Sequence, residues 1–136
     1  MTGKRIIVHS LVDAEVAAAA ASMLGVDVTL VSARGMAGFM GPLWFKALCN
    51  EAAAAHPAAA IVGMLDCADE PGTVLAALRA GFTRVRFTGD EAIRARLDDI
   101  ARQLGATVEG EAPGAELDLL DDRDPAAACR AFLAPD

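Results

Sequence analysis

The stretch Ala59-Ala60-Ile61-Val62-Gly63-Met64-Leu65, followed at once by Asp66-Cys67-Ala68-Asp69-Glu70-Pro71-Gly72, decides the architecture. Seven successive apolar residues are too few for a buried helix and lack the alternation of a strand with one wet face. They fit a strand covered on both faces, as in a parallel sheet. The residues behind it predict a helix near 72–80 that ends at Gly81. On the N-terminal side, Arg5-Ile6-Ile7-Val8-His9 predicts a first strand, with a helix near 11–24 stopping at Gly25. Val26 to Val31 predicts a second strand, then a glycine-punctuated connection over 34–41 and a helix near 42–55. On the C-terminal side, Thr83 to Thr88 alternates Val85 and Phe87 against Arg84 and Arg86. Ile93, Leu97, Ile100 and Leu104 then form one stripe of a helix near 90–104, and Ala106 to Glu109 makes a short fifth strand after Gly105.

Strict alternation of strand and helix implies a mostly parallel sheet with right-handed crossovers. Five such units in the first 109 residues are too few to close an eight-stranded barrel. The expected fold is therefore α/β: a three-layer, flavodoxin-like open sheet of about five mostly parallel strands with helices on both faces. A half-barrel completed by dimerisation is the alternative. Residues 1–109 read as a single α/β domain and residues 110–136 as an acidic C-terminal appendage. In the latter, Pro113-Gly114 makes a turn, and Asp124-Pro125 provides the N-cap and first position of a short helix. Leu119, Leu120, Phe132 and Leu133 predict that this segment folds back on the domain or on a partner subunit.

Composition supports the same picture. Of 136 residues 54% are apolar, enough for one core, but 31 of them are alanine, so alanine-rich helices must pack closely on the sheet. The net charge is −7, which argues against a nucleic-acid surface. Residues 1–108 hold ten Lys/Arg against eleven Asp/Glu, whereas residues 109–136 hold two against eight. No apolar run is long enough to span a membrane, and Met1 to Ser10 enters a strand without a leader-like apolar region. Cys49, Cys67 and Cys129 form no CxxC pair and suggest reduced thiols and a cytoplasmic protein.

In an open parallel sheet ligands bind at the carboxyl ends of the strands. The expected edge gathers His9, Ser10, Ser32, Arg34, Asp66, Cys67, Asp69, Thr88 and Asp90. His9, Asp66 and Cys67 are the candidate catalytic groups, with Asp66 expected near His9; Ser10, Arg34, Asp69 and Thr88 are the candidate ligand-binding groups. Asp66 stands out because a carboxylate ending a buried strand needs partners or neutralisation. Other members have structural readings as well. Ser10-x-x-Asp13 and Thr88-x-x-Glu91 fit capping boxes, and Asp69 can cap the helix that begins near Pro71. His9 can serve as a hydrogen-bonded core residue, and Cys67 as a small buried thiol. Ser32 to Gly41 places glycines before a helix but matches neither GxGxxG nor a P-loop. The two lysines, Lys4 and Lys46, lie away from the carboxyl ends of the strands, and no Gly-x-Ser-x-Gly elbow is present. No metal site is indicated, and the sequence leaves any cofactor unknown.

One segment points to association. Phe39, Trp44 and Phe45 are three of six aromatic residues and fall within 36–45 beside Met36 and Met40. A connection normally lies at the surface, yet these side chains favour burial, so residues 36–45 are the expected contact of a homo-oligomer. Two functions follow as expectations: a non-catalytic or regulatory self-associating module, or a small enzyme or binder of a small anionic metabolite using the carboxyl edge.

Overall fold

The computed structural model describes residues 3–135. It is an α/β protein with one open, all-parallel sheet of six strands among the described residues, in the order β5-β4-β3-β2-β1-β6. This is consistent with the flavodoxin-like three-layer arrangement that the alternation predicts. The strands are β1 (Lys4–Val8), β2 (Asp27–Ser32), β3 (Ala60–Asp66), β4 (Arg84–Arg86), β5 (Thr107–Glu109) and β6 (Glu116–Asp118). The helices are α1 (Leu11–Leu24), α2 (Met36–Met40), α3 (Pro42–Ala55), α4 (Pro71–Arg79), α5 (Glu91–Gln103) and α6 (Pro125–Leu133). The chain divides into two compact units. One comprises Ser32–Lys46 and Gly63–Gly114, and the other the remaining described residues.

In the unit that contains β1, α1 starts as its sequence predicts. Ser10 accepts a hydrogen bond from the Asp13 amide at 3.1 Å, and the Asp13 carboxylate accepts one from the His9 amide at 2.9 Å. Ala14, Ala17, Ala18, Ala20 and Ala21 are buried along α1, and α6 packs against this helix. Small side chains let the two helix backbones approach closely. Asp124 caps α6 by accepting from the Ala127 amide, and Cys129 and Leu133 are its buried residues. Lys4 fastens the helix end, donating to the Phe132 carbonyl at 2.8 Å. The acidic C-terminal segment thus holds the expected short helix and also supplies β6, which pairs parallel with β1 (Arg5↔Glu116, Ile7↔Asp118). Glu-Leu-Asp carries no strand signal of its own; its pairing is made by backbone groups that no side-chain pattern announces.

In the other unit, the glycine-punctuated connection contains a helical turn, α2, where a simple connection was expected. Gly35 and Gly41 bracket it with φ of 73° and 84°, a backbone region that residues with a Cβ rarely adopt. At the start of α3, Phe45 is fully buried and stacks on Phe82 at 6.2 Å between centroids. Leu48, Cys49 and Ala52, the rest of the expected stripe, belong to the unit that contains β1 and are buried as well. Alternation along β4 predicts one wet face, yet Arg84 and Arg86 are buried along with Val85. The register sets Asp66 of β3 and Glu109 of β5 opposite Arg86, while Arg84, opposite Met64 and Thr107, reaches along the sheet to the Glu109 carboxylate.

Candidate functional site

The carboxyl ends of β2, β3 and β4 meet within one unit. The Ser32 hydroxyl accepts a hydrogen bond from the Asp66 amide at 2.8 Å, tying the last residue of β2 to the last of β3. Asp66 is 5% exposed. Its Oδ1 accepts from the Ala68 amide at 2.9 Å, and its Oδ2 stands 3.7 Å from Arg86 Nη1. The first contact holds Ala68 at a φ of 51°, a left-handed conformation that costs alanine about 1–2 kcal/mol. The need for partners inferred for Asp66 is therefore met by a turn amide and an arginine on the adjacent strand. Arg84 is held in parallel fashion by Glu109, with Nε at 2.9 Å and Nη2 at 2.8 Å from the same carboxylate oxygen.

Above these buried pairs lies a more exposed layer. Arg34 is exposed, and its Nη1 donates to the Thr88 hydroxyl at 2.8 Å, bridging the connections after β2 and β4. Thr88 is not the cap of α5; that cap is Asp90, which accepts from the Ala92 and Ile93 amides. Asp90 is one residue from the helix, whereas Thr88 sits two residues further back, where the Ala68 carbonyl takes its amide at 2.8 Å. Asp69 does not cap α4 either. Glu70 occupies the N-cap position and makes no side-chain cap bond, while Asp69 lies exposed beside Gly89, 3.2 Å from where a Cβ there would stand. The Glu70 carboxylate lies beside Gly38 of α2, 2.8 Å from where a Cβ there would stand.

Cys67 is buried, and burial pushes its thiol up to about 12, with the charges of Asp66 and Glu70 adding to the effect. A thiol so far above neutrality stays protonated and is a poor nucleophile. Burial likewise raises Cys49 to about 12, and it raises Cys129 to about 11 with help from Asp122 and Asp13. Among the described residues no three His, Cys, Asp or Glu side chains are grouped to hold a metal ion.

His9 and Ser10 belong to the other unit. His9 Nε2 lies 2.6 Å from Asp118 Oδ1, because parallel pairing sets the end of β6 beside the end of β1. Asp118 also accepts from the Leu120 amide at 2.9 Å. The hydrogen-bonded role inferred for His9 is thus made with the acidic C-terminal segment. The sequence suggests the acidic cluster Asp118, Asp121 and Asp122 as the counter-charge for Arg84 and Arg86. The structure instead pairs Arg84 with Glu109, Arg86 with Asp66 and His9 with Asp118, because strand neighbourhood decides which charges meet. No protein-family model matches the chain, and no curated protein is significantly similar to it.

Proposed function

We propose that this chain is a cytoplasmic, non-catalytic α/β module that associates with a second copy of itself through α2 and the first turn of α3. The observation that carries this reading is Phe39, 85% exposed, with Leu43 at 68% and Met40 at 46% beside it in sequence. Each such side chain contributes about 1.5–3 kcal/mol when fully buried, and a run of them on the surface favours a partner. The partner is a second copy because residues 35–45 contain no charged side chain in a chain of net charge −7. A two-fold contact of this segment with its own copy sets no charge of the segment against itself. Protonated, buried thiols and carboxylates already engaged in structural pairs support a non-catalytic reading. No described helix is long and apolar enough to cross a membrane.

Sedimentation at micromolar concentration tests the proposal. A dimer that Phe39→Asp disperses supports it, and a clean 14.0 kDa monomer overturns it. Arg34 supports a second reading, in which the carboxyl edge binds a small anionic metabolite. Thr88 pre-orients the exposed guanidinium, and the Arg34→Gln variant should then lose phosphate or small-carboxylate binding in calorimetry.

A further inference from the structure

The sheet ends at β5, and an end strand leaves one row of backbone groups open to another strand. The inward row of β5 is used: the Thr107 amide donates to the Thr83 carbonyl at 3.0 Å, and the Glu109 carbonyl accepts from the Phe87 amide at 2.8 Å. Val108 therefore carries the outward pair, and both of its groups are taken by side chains of α5. Its amide donates to Asp98 Oδ1 at 2.8 Å, and its carbonyl accepts from Arg94 Nη1 at 2.8 Å. Each side chain is itself held. Glu91 grips Arg94 through three contacts of 2.6–2.9 Å, and Arg102 donates to Asp98 at 2.8 Å. One carboxylate and one guanidinium thus occupy the two positions that a neighbouring strand would supply.

We propose that Arg94 and Asp98 form a clip that closes the open edge of the sheet, and that the surface beneath it pairs with β5 of a second copy when the clip is released. The geometry selects that occupant. In an antiparallel ladder, a residue in a hydrogen-bonded pair exchanges both its N–H and its C=O with the residue opposite. Val108 facing Val108 of another copy across a two-fold axis uses just the two groups that the clip covers. The same register sets Thr107 opposite Glu109, so no carboxylate meets its own copy and a hydroxyl faces each one. This surface is separate from α2 and stands whether or not the α2 contact forms.

The test combines Arg94→Ala and Asp98→Ala in a Phe39→Asp background, which removes the α2 contact. Sedimentation should show a concentration-dependent dimer in which hydrogen exchange at the Val108 amide slows at least tenfold relative to dilute protein. Adding Thr107→Glu sets a carboxylate against Glu109 of the other copy and should restore the monomer. A folded protein that stays monomeric at several hundred micromolar overturns the proposal, as does a dimer that survives Thr107→Glu. Should the double alanine variant not fold, Arg94→Met combined with Asp98→Ser, which leaves neither Val108 group a side-chain partner, decides on the same two readouts.

Discussion

Replacing Asp66 with alanine should cost this fold about 3 kcal/mol without abolishing it. Two of its contacts disappear together. The Ala68 amide loses a charged acceptor at 2.9 Å, a bond of a kind that contributes about 1.5–3 kcal/mol, and with it the restraint on a left-handed alanine. Arg86, 6% exposed, loses a carboxylate 3.7 Å away. Removing one member of a buried pair typically costs about 3–5 kcal/mol because the other charge stays buried. The 3.7 Å separation is long for such a pair and places the cost at the lower end. For a domain of this size, 1 kcal/mol moves Tm by about 3–5 °C, so Tm should fall by about 9–15 °C. Total stabilities of about 5–15 kcal/mol leave most such domains folded after that loss. Thermal unfolding by circular dichroism measures it. Asp66→Asn retains an acceptor for Ala68 and should recover part of the loss. Arg86→Met combined with Asp66→Ala should cost less than the sum of the two single changes, since the two side chains share a contact that either change already removes. A Tm within 2 °C of the parent, or strictly additive losses, would refute the account of Asp66 as a structural partner of Arg86 and Ala68.

Two further outcomes follow from the titrating groups. Burial pushes the Asp98 carboxyl up, but the Val108 amide, the Arg102 hydrogen bond and the charges of Arg102 and Arg94 outweigh it, and its pKa ends below the ordinary aspartate range. A group lowered in the folded state contributes stability above its unfolded value, about 3.9, and loses it as pH falls through the folded value. Asp98→Asn should therefore be less stable than the parent in urea at pH 7, with the gap closing below about pH 4; a gap of constant size would contradict this. The three cysteines, raised to about 11–12 and buried, should resist iodoacetamide at pH 8 in the native protein and react together on unfolding. Rapid native labelling of Cys67 would show a thiol activated in a way its surroundings do not explain.

What the sequence determined by itself is local. The apolar run before Asp66 marks a buried parallel strand, Ser10 and Asp124 mark helix starts, and the spacing of Phe45, Leu48, Cys49 and Ala52 marks a buried face. Each signal is complete within one or two turns of chain, where side-chain period and capping chemistry act. The tertiary structure alone decided the rest. Glu116–Asp118 becomes a strand only because β1 offers it a partner. Arg84 and Arg86 become buried only because Glu109 and Asp66 end or flank the neighbouring strands. Thr88 takes up Arg34 rather than a helix cap, and Asp98 reaches Val108 across ten residues of sequence. These pairings depend on which strands become neighbours, and neighbourhood is set by burial of the whole sheet rather than by any pattern that a single segment carries.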